Sequence, residues 1–316
     1  MRRLTFILAL GGLLVLAACT RPATPNTVHE SKTFPAAAGK LIRLDVRSLD
    51  VHVKVAEAST ISVTVDLQAR SSSRATTKRW IERNTPVFDD SESVLEVRRP
   101  SGARRGLVIV GFIHTEGRLD LVIPPSCRLE VRTSSGDVSI EGEGSLSGPV
   151  RVDTASGDVT VSGGVRELIA DTASGDVHVT GPALAVLEAN TASGDVTLEG
   201  GSERVIVDTA SGDARLEKLT GDLSADTSSG NVSASWERLA AGGKIRVSTS
   251  SGDVRLRMPE GTPLGGDVNT TSGRIHSDFS ASREKRGRMM SFAAPGTSVE
   301  LEVRTSSGDV NLRARS

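Results

Sequence analysis

Tyrosine is absent from the 316 residues, tryptophan occurs twice and phenylalanine six times, so aromatics make up only 3% of the chain. That shortage weighs against a core built around rings, and against sugar recognition by rows of stacked aromatic platforms. Cysteine occurs only at positions 19 and 127. If Cys19 is committed elsewhere, no internal disulfide is available, and Cys127 is expected to be a buried, inert thiol. The histidines, His29, His52, His114, His178 and His276, are scattered without metal-ligand spacing. Large net charge is missing too. Taking Arg2 and Arg3 from 38 basic residues leaves 36 against 39 acidic ones, a formal charge of −3. Wholesale nucleic-acid binding is therefore not expected. In place of rings and charge the chain carries 32 glycines and many small β-branched and hydroxyl residues. Such a composition suits thin stacked layers better than a globular core.

One apolar run stands apart. Arg2 and Arg3 precede Leu4–Ala18, which is short for a membrane span. It stops at Leu16-Ala17-Ala18-Cys19. A short apolar run, two small residues and a cysteine resemble the lipobox of bacterial lipoproteins. The resemblance implies cleavage before Cys19 and acylation of that residue. More than one acyl chain makes such an anchor stable, at about 0.8 kcal/mol per buried methylene. Thr20 is not aspartate, which resembles the outer-membrane sorting pattern. The expected parts are a signal peptide at 1–18, a polar tether at 19–36, an N-terminal β segment with a helix at 37–129, and a repeat region at 130–316. Residues 37–316 are expected to form one continuous domain.

Residues 40–69 alternate strongly, as LIRLDVRSLDVHVKV and TISVTVDLQA, and read as strands. Ser71–Asn84 is the one helical stretch, with serines able to cap its start and with Trp80 and Ile81 placed to cover an open sheet end. Further strands are expected at 93–98, 106–113 and 118–123. The LVIVGFI run within 106–113 is too short to cross a membrane as a helix.

From Glu130 a Thr-x-Ser-Gly turn recurs nine times, mostly as TASGDV or TSSGDV. Its glycines are Gly136, Gly157, Gly175, Gly194, Gly212, Gly230, Gly252, Gly273 and Gly308, in steps of 21, 18, 19, 18, 18, 22, 21 and 35. A self-similar period near nineteen predicts an all-β solenoid, parallel β-helix-like, in which each repeat buries its apolar face only against its neighbours. Nineteen residues trace about 60 Å, enough for two or three short strands per coil, with coils about 4.8 Å apart. Glycine is expected to supply a positive-φ corner and aspartate to bond its own nearby backbone. The threonines and serines are expected to form hydroxyl ladders along the axis.

The lipobox, the alternating first segment, the VIPP stretch at 122–125 and the repeated SGDV units together resemble the bacterial putative-adhesin family known as domain of unknown function 4097, over roughly residues 40–315. The resemblance implies a β-solenoid with an adhesion or envelope-stress role and brings no catalytic residues.

Three features invite chemistry. The recurring carboxylates, Asp158, Asp176, Asp195 and Asp213 among them, would lie about 5 Å apart in a stack. Turn support is the expected role and bridging calcium, the one cofactor considered, the alternative. Evenly recurring acids do not resemble the unequal carboxylate pair of a polysaccharide-acting enzyme, so no enzyme is expected. The segment from Ala281 carries Arg283, Lys285, Arg286 and Arg288 beside Met289, Met290 and Phe292. It is either a solvated excursion or a contact for anionic lipid, lipopolysaccharide or a protein partner. Arg104 and Arg105 form a weaker basic spot. The expected function is a non-enzymatic, lipid-anchored binding scaffold of the outer membrane, with a protein or glycan ligand. An envelope-stress or signalling accessory is the alternative.

Overall fold

The computed structural model describes residues 26–315 apart from 72, 101–112, 285–286, 294–295 and 297. The lipobox with Cys19, the Arg104–Arg105 spot, Lys285, Arg286 and nearly all of the LVIVGFI run lie outside the described residues.

Two long sheets, of thirteen and fourteen strands, face each other across a core of valine, leucine, isoleucine and alanine. Each coil contributes one strand to each sheet. In one repeat, Val150–Thr154 runs along the fourteen-stranded sheet, TASGD turns the corner, and Val159–Val161 returns along the other. Val150, Val152, Val159 and Val161 point inward and are buried, while Arg151 and Thr160 face out, the period-2 alternation expected of a half-buried strand. The repeats pair in parallel with like residues on like. Thr154, Thr172, Thr191, Thr209, Thr227 and Thr249 form one column across successive coils.

Consecutive stacking fails at both ends. The Thr305 coil does not follow the Thr270 coil but lies between it and the Thr249 coil. At the other end the first coil, Leu41–Asp45 and Asp50–Val55, is inserted between Arg128–Gly142 on one side and the strands Val94–Arg98 and His114–Ile123 on the other. The expectation of rungs in strict chain order therefore holds only from Thr133 to Thr249. Parallel strand edges offer the same donors and acceptors to any coil of matching register, so sequence order alone does not fix spatial order.

Antiparallel strands close the ends. Asn26–Pro35 pairs with Thr60–Arg70, which pairs with His114–Ile123. Asn26–Pro35, expected within the polar tether, is thus an edge strand. Its charged and hydroxyl side chains suit an exposed edge, and Val28 and Phe34 pack against the core. The helix Arg74–Asn84 is capped by Ser73, whose hydroxyl accepts from the Thr76 N–H. It packs on Thr60–Arg70 and Asn26–Pro35, with Trp80 and Ile81 against the core, as a lid at this end. Lys40, 2% exposed, donates from Nζ to Asp90 Oδ1 at 2.6 Å and to the Pro35 carbonyl at 3.0 Å, tying the first coil to this cap. At the far end Ser282–Glu284 and Met289–Ala293 form a hairpin on Leu264–Thr270. Among the described residues no helix is long and apolar enough to cross a membrane.

Candidate functional site

The recurring turn is built by three side-chain roles, and each differs from the expectation for an isolated corner. The repeat glycines do not adopt positive φ; within a coil that conformation belongs to the opposite corner, as at Gly164 (φ 74°). Glycine is required at the turn because the coils approach so closely. A Cβ on Gly175 would fall onto the carbonyl oxygen of Gly157 in the preceding coil, and one on Gly194 onto that of Gly175. The same holds at Gly136, Gly157, Gly212, Gly230, Gly252, Gly273 and Gly308, each against the coil beside it.

The threonines do not bond one another. Thr191 Oγ1 accepts from its own Gly194 N–H at 2.9 Å and donates to the Gly175 carbonyl of the neighbouring coil at 3.4 Å. Thr249 and Thr305 repeat this pattern with Gly252 and Gly308, donating to Gly230 and Gly252. The serines of the turn, such as Ser156 and Ser174, sit exposed on the rim and form no ladder. A stacked turn needs one buried hydroxyl to satisfy a donor in its own turn and an acceptor in the neighbouring coil, and threonine meets both needs alone.

The aspartates bond between coils, not within their own turn. Asp137 Oδ1 accepts from the Asp158 N–H at 3.0 Å, Asp158 from Asp176 at 2.9 Å, Asp176 from Asp195 at 2.8 Å and Asp195 from Asp213 at 2.8 Å. The chain of bonds continues through Asn231, Asp253 and Asp309 to the Arg274 N–H. Asn231 Nδ2 also donates to both oxygens of Asp213, relieving like-charge contact midway. Arg274, an interruption in sequence order, is in space the terminal rung and has no further coil to serve. The ladder begins at Asp50, whose Oδ1 accepts from the Asp137 N–H at 3.1 Å. Sequence reasoning missed this rung because Ser48-Leu49-Asp50-Val51 has leucine in the glycine position; reading x-Asp-Val after an alternating strand would have found it. One oxygen of each ladder carboxylate thus serves a backbone N–H. Among the described residues no three His, Cys, Asp or Glu side chains gather as a metal site.

Outside the core the strand residue before each threonine forms a second column on the fourteen-stranded sheet. It reads Arg132, Asp153, Asp171, Asn190, Asp208, Asp226, Ser248, Arg304, Asn269 in spatial order. Arg132 Nε donates to Asp153 at 3.1 Å and Asn190 Nδ2 to Asp171 at 2.7 Å. Near its basic end Glu302 accepts from Arg246 Nε at 2.8 Å and pairs with Arg304 at 2.6 Å. The Arg246 hydrogen bond, above all, holds the Glu302 carboxyl below its ordinary pKa.

The basic segment divides. Arg283 is exposed on the terminal hairpin and Arg288 is exposed beside it. Met290 and Phe292 face inward and are buried, leaving only Met289 half-exposed. The apolar residues that would have accompanied the basic cluster at a lipid surface instead close the end of the core, because hairpin pairing alternates them inward. The histidines are also partly regrouped. His52, His178 and His276 share one outward column of the thirteen-stranded sheet but are separated by several coils. Cys127 is fully buried with Sγ 4.0 Å from the Ala37 carbonyl, and burial pushes its thiol pKa up.

The sequence profile of the Toastrack family, DUF4097, matches residues 40–313, the span from the first coil to the last. The chain belongs to this family. Among solved structures it is similar to a putative adhesin from Bacteroides fragilis, at 10% identity, covering 90% of this chain and 97% of that one with a TM-score of 0.41. It is likewise similar to a putative adhesin from Parabacteroides distasonis, at 13% identity, with 90% and 97% covered and a TM-score of 0.41. A third, described as a putative lipid binding protein from Parabacteroides distasonis, is 12% identical, with 90% and 96% covered and a TM-score of 0.31. No curated protein matches. The Toastrack profile covers the first coil, the helix Arg74–Asn84 and the SGDV coils alike, and leaves out the edge strand Asn26–Pro35.

Proposed function

We propose that this Toastrack chain is a non-enzymatic binding scaffold of the bacterial envelope, adhesin-like in use and held at the outer membrane by acyl chains on Cys19. The observation that carries the reading is the in-register stack itself. Its turn carboxylates and threonines are engaged in coil-to-coil hydrogen bonds, leaving two long outward faces of polar and charged side chains for contact. The usual glycoside hydrolase sets two carboxylates in unequal surroundings; the turn aspartates here are equivalent by repetition. The names given to the similar solved structures, adhesin and lipid binding protein, agree with a binding role.

Two measurements test it. Radiolabelled palmitate should be incorporated into the wild-type chain and not into Cys19→Ala. Protease added to intact cells should degrade the protein if it displays an adhesive face outward. Degradation only after lysis would remove the adhesin reading and leave a periplasm-facing accessory of another envelope protein.

A further inference from the structure

Two neighbouring outward columns change character toward the C-terminal end, serine replacing alanine already at Ser228 and the aspartates ending one coil later, after Asp226. In the mid-stack coils the residue before the threonine is Asp153, Asp171, Asn190 or Asp208, and the residue after it is Ala155, Ala173, Ala192 or Ala210. All of these but Ala155 line a shallow acidic depression. In the last three coils in space, the residue before the threonine is Ser248, Arg304 or Asn269, and the one after it is Ser250, Ser306 or Thr271. Aspartates give way to Ser248, Asn269 and the cationic Arg304, and methyl groups to hydroxyls, at structurally equivalent positions. The core threonine and glycine are unchanged, so the fold does not require the substitution.

The interleaving of the last two coils completes the arrangement. Placing the Thr305 coil between those of Thr249 and Thr270 sets Arg304 in the middle of the column, with Ser248 and Asn269 on either side. Chain-order stacking would have put Arg304 at the margin. The Arg288 carbonyl accepts from the Thr270 N–H at 3.0 Å, which fixes that residue at the end of the same row. Both arginines and the hydroxyl residues line one open depression of about 640 Å³. Among the described residues no carboxylate lines it. Arg304 is braced from outside by Glu302 at 2.6 Å.

We infer that this depression binds a tetrahedral oxyanion, a phosphomonoester carried by a soluble ligand or a lipid headgroup. Two guanidinium groups supply planar paired donors suited to phosphate oxygens. Hydroxyls and the Asn269 amide supply further donors around them. The inference deepens the binding-scaffold reading and rests on it only for its biological setting; the site is tested on purified protein, whereas display and anchoring are tested on cells, so either can fail alone.

The full chain, purified in detergent in a chloride buffer, is titrated calorimetrically with inorganic phosphate and with glycerol phosphate. Saturable binding is expected, weakened about tenfold or more by Arg288→Gln or Arg304→Gln, the loss of one charge-assisted contact. Arg283→Gln, outside the depression, should bind like wild type. Flotation with phosphatidylcholine vesicles, with and without phosphatidic acid, then distinguishes a headgroup from a free phosphate ester. A saturable phosphate response with no vesicle binding assigns the soluble source and supports the site. Vesicle binding without any response to inorganic phosphate overturns it in favour of diffuse surface charge. So does binding that survives Arg288→Gln and Arg304→Gln together. Should loss of the Glu302 pair unfold the Arg304 variant, Arg288→Gln alone decides, because Arg288 has no carboxylate partner in the depression.

Discussion

Replacing Gly175 by alanine adds one methyl group at the point where two coils touch. The new Cβ would overlap the Gly157 carbonyl oxygen and lie 2.9 Å from Thr172 Oγ1. The first obstacle is backbone, so no side-chain rotation relieves it, and the two coils must separate locally. Separation weakens the two bonds between the coils, from the Asp176 N–H to Asp158 at 2.9 Å and from the Ser174 N–H to the Ala155 carbonyl at 3.1 Å. Overpacking of a tight site costs about 1–3 kcal/mol, and each weakened hydrogen bond adds about 1 kcal/mol. A total of roughly 3–5 kcal/mol is expected at this junction from those two effects. Gly261→Ala is the control. Gly261 has φ 75°, but a methyl group added there would meet nothing within 4 Å, so only backbone strain of about 1 kcal/mol applies. Native-state hydrogen exchange reads the result coil by coil. Gly175→Ala should sharply accelerate exchange at Asp176 and Ser174, with smaller effects several coils away. Exchange at those amides within about threefold of wild type, or greater damage from Gly261→Ala, would refute the close-approach account of the repeat glycine.

Thr191→Val keeps the shape of the side chain but leaves the buried Gly194 N–H and Gly175 carbonyl without their hydroxyl partner, and should cost about 1–3 kcal/mol in denaturant unfolding. Thr191→Ser should recover most of that loss. Lys40→Ala removes the buried ammonium that binds Asp90 and the Pro35 carbonyl and should destabilise the N-terminal cap by about 1–3 kcal/mol; the Lys40→Ala/Asp90→Ala double variant should be less than additive, as a thermal-melting cycle would show. Because the Cys127 thiol is fully buried with its pKa raised, a thiol reagent at mildly alkaline pH should react with the native chain far more slowly than with the denatured one. Fast native labelling at that site would contradict its burial.

The strands from residue 41 on, the repeat, its parallel stacking and the helix after residue 71 were legible because each is written locally, whereas the polar edge strand Asn26–Pro35, expected as tether, was not. Alternating valines state which face is buried, and a recurrent turn states that one coil resembles the next. The turn's internal chemistry was not legible in the same way. For an isolated corner, glycine implies positive φ and aspartate implies a bond to its own backbone. Within the stack the neighbouring coil supplies a closer obstacle to Gly175 and a better-placed donor to Asp158, so the same residues take different roles. Asp50 escaped notice because Leu49 occupies the place of the marker glycine.

By itself, the sequence determined a two-faced coil that cannot bury its valines alone and must stack on copies of itself. Only the tertiary structure decided which coil lies beside which. A parallel edge accepts any partner in register, so the first coil could sit between later strands and the last coil between earlier ones, and that last insertion, invisible along the chain, is what sets Arg304 between Ser248 and Asn269.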